Sequence, residues 1–218
     1  MKITRLIPLC AFSLVLAACG PQEMTDQDGN VLEVVEIGNQ LWTASNLNVA
    51  TFSNGDPIPE VKSADEWRKA GESGQPAWCY FNNDPKMADR FGRLYNWYAA
   101  TDPRGLAPEG WHVPSDEEWQ ALSESQGGLT QSGIRLKSSS GWEQQGNGNN
   151  ESGFNALAAG GRGGQSGFTG QGRVAVFWST TSKSPSFAFY YVLHASRTGI
   201  FRENDDKMSG FSIRCVRD

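Results

Sequence analysis

The sequence has few of the residues that support charge-driven or metal-driven functions. Basic residues are not in excess, because 19 Lys and Arg stand against 24 Asp and Glu and give a formal net charge of −5. This balance gives no electrostatic reason to expect nucleic acid as a partner. The only two histidines, His112 and His194, lack the i, i+4 partner of a zinc-binding helix.

Long apolar runs are also absent, apart from one at the N-terminus. Residues 7–18 form that run, which follows a cationic start and is too short to cross a bilayer as a helix of about 20 residues. Small residues precede Cys19, an arrangement that resembles the lipobox of bacterial lipoproteins. We predict a signal peptide over residues 1–18, lipid attachment at Cys19 and a flexible polar tether over residues 19–30. The alternative is an ordinary secretory peptide in which Cys19 has no role.

The predicted lipid would hold the mature chain at a membrane of the bacterial cell envelope. Each buried methylene contributes about 0.8 kcal/mol, so more than one acyl chain gives stable anchoring. Gly20 stands where an aspartate would argue for inner-membrane retention in enterobacteria, which favours the outer membrane, on its periplasmic or its outer side. No second run approaches 18 apolar residues, and we expect one exported domain over residues 31–218.

The remaining cysteines are few. Cys79 and Cys215 are the only thiols outside the predicted signal peptide and lipid site, and the predicted compartment is oxidising. We predict a structural disulfide between them. Two buried free thiols, or a reactive pair, are the alternatives.

Two segments carry the spacing of a helix capping box, in which a serine and a glutamate three residues later satisfy backbone N–H groups at the helix start. Ser63 begins the first segment and Ser115 the second, where Trp119 and Leu122 share an apolar face. Residues 91–100 also place apolar side chains at helical spacing. The sequence therefore predicts helices in all three segments.

Strand patterns occur at both ends of the domain. Near its start, two apolar runs flank Gly38-Asn39, a pair typical of a hairpin turn. The C-terminal part alternates strands and turns, with predicted strands at 174–180, 187–194, 199–202 and 210–216, and predicted turns at 183–186 and 204–206.

A glycine-rich loop region, residues 127–173, lies between the helices and the last strands. It holds 14 of the 25 glycines of the chain. A stretch of this kind in a compact domain is usually functional, and we predict that it forms the ligand-binding surface. Trp142 is the best exposed candidate, since its ring could stack on a sugar. The candidate ligand-binding residues are Trp142, Asn147, Asn149, Arg162 and Arg173.

Signals for catalysis or cofactors are weak. A nucleophile elbow is absent, and the dinucleotide-like run at 170–175 leads into a strand instead of opening a helix. Acidic and amide-rich stretches leave calcium as a possible ligand, although none has the spacing of an EF-hand loop. We expect no catalytic residues and no cofactor.

The order of several short motifs is more specific than any one of them. It includes IGNQLW at 37–42, GWHVPSDEEW at 110–119 and GFSIRCV at 210–216, with further blocks at 79–85, 91–97, 153–157 and 177–181. Over about residues 31–218 this order resembles the Fibrobacter succinogenes major paralogous domain.

That resemblance implies an exported or surface lipoprotein with a C-type-lectin-like fold. Such a fold is α+β, with two main helices packed on small antiparallel sheets and a long Gly-rich loop region. A more distant similarity to formylglycine-generating, sulfatase-modifying enzymes rests on residues 114–119 and the closing strand. Those enzymes need two active-site cysteines close together, whereas Cys215 has only Cys79 as partner. The calcium-dependent sugar-binding tripeptides of true C-type lectins are absent too.

These patterns predict a non-catalytic, membrane-anchored binding or adhesion module. Its ligand would be a glycan, an envelope polymer or a surface protein. One alternative is a formylglycine-generating-like or thiol redox enzyme that uses Cys79 and Cys215. Another is a structural protein of the envelope.

Overall fold

Twelve strands and five α-helices make up the regular structure of residues 22–218, the part of the chain that the computed structural model describes. The predicted signal peptide and Cys19 lie outside the described residues. The strands are β1 (Gln22–Thr25), β2 (Val31–Ile37), β3 (Gln40–Thr43), β4 (Trp78–Cys79), β5 (Leu94–Tyr95), β6 (Trp111–His112), β7 (Gly161–Arg162), β8 (Phe168–Thr169), β9 (Val174–Ser182), β10 (Phe187–His194), β11 (Ile200–Asp206) and β12 (Val216–Arg217). The helices are α1 (Ala64–Glu72), α2 (Ala88–Phe91), α3 (Trp97–Ala100), α4 (Asp116–Ser125) and α5 (Ser132–Leu136). Over this range no helix has the length and apolar character of a membrane span.

The strands form several antiparallel sheets, so the domain is of the mixed α+β class. The largest sheet joins both ends of the chain, in the order β1-β2-β3-β12-β6. A second has the order β11-β10-β9, and two pairs, β4-β5 and β7-β8, complete the set. The hairpin predicted at Gly38-Asn39 is confirmed, since Ile37 pairs with Gln40 across that turn.

Part of the predicted tether is ordered sheet. β1 lies inside it and pairs with β2 over all four of its residues. Asp26 closes the turn into β2, because its Oδ1 accepts hydrogen bonds from the backbone N–H groups of Asp28 and Asn30. The prediction of a flexible segment is therefore wrong for residues 22–30. Residues 22–25 lack apolar alternation because β1 is a polar strand at a sheet edge.

Two of the three predicted helices are confirmed. Helix α4 has the full capping box: the Ser115 hydroxyl accepts from the N–H of Glu118, whose carboxylate accepts from the N–H of Ser115. Trp119 and Leu122 are buried on its inner face. Helix α1 begins after Ser63, whose hydroxyl accepts from a backbone N–H of the first turn.

The continuous helix predicted over residues 91–100 is wrong. The chain there passes from α2 through β5 to α3. Gly92 ends α2 with φ of 67°, and a Cβ at that position would lie 2.6 Å from the carbonyl oxygen of Leu47, so glycine is required. Asn96 then starts α3 by accepting from the N–H of Ala99. The apolar spacing indicated that side chains of this segment face the core, but these side chains do not lie on one continuous helix.

The C-terminal strands agree with the prediction in part. β9 and β10 confirm the predicted strands. β11 continues to Asp206, so the turn predicted at 204–206 is wrong; those residues pair with the start of β10, and charged residues are common on a sheet edge. The strand predicted at 210–216 is mostly isolated bridges, with β12 at its end.

An aromatic cluster holds the loop region to the sheets. Trp119 stacks on Tyr191 with ring centroids 5.2 Å apart and also contacts Trp42 and Phe177. Phe154, from the glycine-rich loop region, packs edge-on against the same group and is fully buried. The loop region is thus irregular in backbone but fixed at its base, and α5 is its one helix.

Candidate functional site

Two neighbouring cavities lie on the glycine-rich loop region. Cavity A, of about 350 Å³, is lined by Gln144, Gly170, Arg173, His194 and Ser196, among others. Cavity B, of about 460 Å³, is lined by Lys86, Arg90, Glu143, Gln171 and Gly172, among others. Both volumes fall within the usual range of ligand pockets, about 300–1,000 Å³.

A backbone contact joins the two cavities. The N–H of Glu143 donates to the carbonyl oxygen of Gly172 over 2.7 Å, so the segments 141–144 and 170–173 form one wall. A Cβ at Gly172, where φ is 78°, would lie 2.7 Å from a Glu143 carboxylate oxygen. Glycine at this position lets the Glu143 side chain lie against the backbone.

Trp142 is a buried anchor beneath this wall. It is only 6% exposed, and its Nε1 donates to Ser138 Oγ (3.0 Å) and to the carbonyl oxygen of Ala156 (3.1 Å). Asn147 Oδ1 accepts from the backbone N–H of Trp142. The prediction of Trp142 as an exposed stacking platform is therefore wrong, because the loop folds over its ring. Asn147 shapes the same turn and does not line cavity A or B.

Lys137 ties the turn between β10 and β11 to the loop region. Its buried Nζ donates to the carbonyl oxygens of His194 (3.2 Å) and Arg197 (3.0 Å). The same nitrogen lies 5.2 Å from the centroid of the Trp142 ring. Burial lowers the pKa of Lys137. One ammonium group therefore fixes the backbone that lines cavity A.

The other predicted residues divide between structural and surface roles. Arg162 is buried, and its guanidinium donates to the backbone carbonyls of residues 61–63 and lies over the Trp67 ring. The prediction that Arg162 contacts a ligand is therefore wrong. Asn149 is exposed, but its Oδ1 accepts from the N–H of Glu151 and lies outside cavities A and B. Of the five predicted residues, Arg173 is the one that lines these cavities.

Several lining residues were not predicted, because they come from segments that only the fold brings to the loop. Arg90 of α2 lies against Gly141, where a Cβ would be 2.6 Å from its Nη2. Gln171 donates to the sulfur of Met87. No local motif marks these positions. The sequence itself shows only that a charged residue, Arg90, stands next to an apolar one, Phe91, and in the structure Arg90 is exposed and Phe91 is buried.

The two cysteines do not form the predicted disulfide, and both are free and buried. Cys79 pairs with Leu94 of β5, while Tyr95 of β5 bridges Phe211, which precedes Cys215. Strand β5 therefore lies between them. The two thiols also lie in different parts of the core, Cys79 beside Trp67 and Cys215 beside Ile213.

Burial also makes both thiols unreactive. It raises the pKa of Cys79 to about 11, against a smaller opposing effect of Arg162, and raises the pKa of Cys215 to about 12. Thiolates are the nucleophilic form, so these environments give no activated cysteine.

His112 is held between two carboxylates away from the loop. Its Nδ1 is 2.5 Å from Asp218 Oδ1, and its Nε2 is 2.7 Å from Glu118 Oε1. Burial lowers the pKa of His112, but the two carboxylates outweigh this effect and leave the pKa above its ordinary value. His112 thus joins β6, the cap of α4 and the last residue of the chain.

This arrangement predicts a pH-dependent contribution of His112 to stability. Because the pKa is raised in the folded state, the contribution is complete below about pH 6.5 and is lost as the pH rises through the folded pKa. We expect His112→Gln to lower the free energy of unfolding at pH 5.5 by up to about 1 kcal/mol, since the pair is part-exposed, and to have almost no effect at pH 9. Urea unfolding at both pH values measures this.

A matched control for the His112 variant is His194→Gln. Burial lowers the pKa of His194, so its protonation opposes folding, and its replacement should help at pH 5.5. An equal effect of His112→Gln at both pH values would contradict the prediction.

Within residues 22–218, no group of three or more His, Cys, Asp or Glu side chains is placed to hold a metal ion. The possible calcium ligand therefore has no such cluster in the described part of the chain.

The fold and the cavities define a mixed α+β domain that presents a long glycine-rich loop region on a rigid base. The chain belongs to the Fibrobacter succinogenes major domain family, whose sequence model matches residues 35–217. The resemblance seen in the motifs is thereby confirmed. No curated protein and no solved structure matches the chain.

Proposed function

We propose that this protein is a non-catalytic binding or adhesion module of the bacterial cell envelope, and that residues 127–173 present its ligand-binding surface. The ligand would be a glycan, an envelope polymer or a surface protein. The observation that carries this proposal is the pair of cavities A and B on loop segments fixed by buried anchors. Binding sites commonly lie on loops that a rigid scaffold positions.

The fold is further proposed to be C-type-lectin-like. Support comes from two longer helices, α1 and α4, followed by a long loop region and then by the terminal strands β9 to β12. The proposed class describes a scaffold and does not specify a ligand.

Lipid anchoring at Cys19, in the outer membrane, is part of the same proposal. Strand β1 begins at Gln22, three residues after the proposed lipid site. Three residues span at most about 10 Å, so the anchored domain would be held close to the bilayer. The cavities would then meet ligands near the membrane surface.

The thiol-enzyme alternative has weaker support. Cys79 and Cys215 lie on either side of β5, with raised pKa values, so they cannot act as a redox pair without rearrangement. No specific observation favours a purely structural role in the envelope.

The binding proposal predicts that Arg173→Ala weakens ligand binding about tenfold, the equivalent of one charge-assisted hydrogen bond of about 1.5 kcal/mol. The full chain in neutral detergent would be tested on an array of glycans and envelope polymers, with and without calcium. Asn149→Ala is the matched control, because Asn149 is exposed in the same loop region but lies outside cavities A and B. Binding that neither Arg173→Ala nor a second cavity variant, Gln144→Ala, alters would refute the site.

A further inference from the structure

Four cavities follow one another across the surface. Cavity B shares Arg90 with cavity C, of about 280 Å³, which the amides of Asn46 and Asn48 help to line. Cavity A shares Ser196 with cavity D, of about 610 Å³, next to Phe201. Since A and B meet at the Glu143 wall, the order is C, B, A, D. A row of neighbouring cavities suits a linear polymer better than a compact small molecule.

Exposed cations without an ion-pair partner are concentrated along this row. Over residues 22–218, seven exposed Lys and Arg side chains have no carboxylate oxygen within 4.0 Å, namely Lys69, Lys86, Arg90, Arg173, Lys183, Arg197 and Arg217. Four of them line the row: Lys86 and Arg90 in cavity B, Arg173 in cavity A and Arg197 in cavity D. An unpaired exposed cation has no internal partner to give up when it binds an anion.

Acidic residues of the row line cavities C and B only. Asp26 and Asp89 line cavity C and Glu143 lines cavity B, while the lining of cavities A and D includes no carboxylate. The chain as a whole carries a net charge of −5, whereas cavities B, A and D are lined by Lys86, Arg90, Arg173 and Arg197 with Glu143 as their one carboxylate, so this part of the row is a local basic surface on an acidic protein. Charge complementarity of this kind selects an anionic ligand.

Neutral groups in the row suit a sugar chain. Asn48 Oδ1, in the wall of cavity C, is buried without a hydrogen-bond donor in the described chain. At the other end, the half-buried ring of Phe201 lies 5.3 Å from the Arg197 guanidinium and offers apolar surface for the face of a sugar ring. The four unpaired cations are spread over all four cavities and do not form the dense basic track that nucleic acid requires.

We propose that the ligand is an anionic polysaccharide chain, bearing carboxylate or sulfate groups, that binds along cavities C, B, A and D. This proposal rests on the binding function proposed above and names its ligand class. Arg90, Arg173 and Arg197 bind the acidic groups, and the amide of Asn48 in cavity C binds a hydroxyl group.

The experiment measures the affinity of the full chain in neutral detergent for three labelled probes: an oligogalacturonate, a dextran sulfate and an uncharged dextran. We expect binding of one or both anionic probes, and none of the uncharged dextran. Which anionic probe binds more tightly identifies carboxylate or sulfate as the recognised group. Affinity should fall as salt concentration rises, because counterions are released from the polyanion on binding.

Charge variants locate the ligand on the row. Arg90→Gln, Arg173→Gln and Arg197→Gln should each weaken binding of the anionic probe about tenfold and reduce the salt dependence. Lys69→Gln and Lys183→Gln are matched controls, because both cations are exposed and unpaired but do not line the four cavities. All five changes are on the surface, and thermal unfolding checks that each variant is folded.

The outcomes separate this inference from the binding function. Uncharged dextran binding as tightly as the anionic probes would overturn the anionic class and leave a glycan-binding module. Equal losses in the row variants and in the controls, or equal binding of single-stranded DNA, would overturn the row as a polysaccharide site. Absence of binding to every polymer would overturn the inference together with polymer binding as the proposed function.

Discussion

Replacing Arg214 with Met is expected to lower the free energy of unfolding by about 3–5 kcal/mol. The Arg214 side chain is 1% exposed, and no carboxylate pairs with it within residues 22–218. Its guanidinium donates to Asn46 Oδ1 (2.8 Å) and to the carbonyl oxygens of Thr43 (2.7 Å) and Phe154 (2.8 Å). Methionine would leave these buried acceptors unpaired, each at a cost of about 1–3 kcal/mol. Urea unfolding at pH 7 measures the loss.

Two further variants test the reason for that loss. Arg214→Lys keeps a charge but reaches fewer of the three acceptors, so an intermediate loss is expected. Burial lowers the pKa of Arg214 to about 9, because desolvation disfavours the charged guanidinium. Arg217→Met is the control at an exposed position nearby, with an expected change under about 0.5 kcal/mol. A loss at Arg214 no larger than at Arg217 would refute this role of the guanidinium.

Locally determined elements were predictable from the sequence. Helix α4 was recognised because Ser115 and Glu118 satisfy backbone groups within one helical turn, which needs no information from the rest of the chain. The hairpin at Gly38-Asn39 was recognised for the same reason. Strands β9 and β10 were recognised because they are long and rich in apolar residues.

Elements that depend on distant partners were not predictable. Strand β1 is ordered only through its pairing with β2. The helix predicted over residues 91–100 fails because Gly92 must approach Leu47, and because β5 pairs with both β4 and Phe211. The disulfide was inferred from compartment alone, which says nothing about the strand that separates the two cysteines.

The candidate site was predictable in position but not in its residues. Glycine content located the loop region, and Arg173 was correctly included among residues that line a cavity. Burial of Trp142 and Arg162 could not be inferred, because Trp142 is buried by the irregular loop that folds over its ring, and Arg162 is covered by residues 61–63, far away in the sequence. Arg90 reaches the row from α2, Lys86 from the segment just before α2, and Arg197 from the turn after β10. The spacing of residues in the sequence therefore does not indicate the row.

Trp142→Ala is the second change for which we expect a large effect, a loss of about 3–5 kcal/mol in the free energy of unfolding. The substitution removes a buried ring and also the Nε1 donor that reaches Ser138 Oγ and the Ala156 carbonyl. Trp142→Phe fills most of the space but loses both Nε1 hydrogen bonds, while the Ala156 carbonyl still accepts from the N–H of Ser138, and its expected loss is about 1–2 kcal/mol. Urea unfolding of both variants, with hydrogen exchange of residues 138–156, measures whether the loop region loosens first.

The pair of Trp142 variants separates an anchor from a ligand contact. As an anchor, Trp142 acts on ligand affinity only through the wall of cavities A and B. Trp142→Phe should therefore retain most binding. Trp142→Ala should lose binding to the same extent as residues 138–156 lose protection from hydrogen exchange. If instead Trp142→Ala abolished binding with unchanged stability and unchanged hydrogen exchange, the ring itself would contact the ligand. Because its burial and both Nε1 contacts are internal to the loop region, stability and binding are expected to fall together.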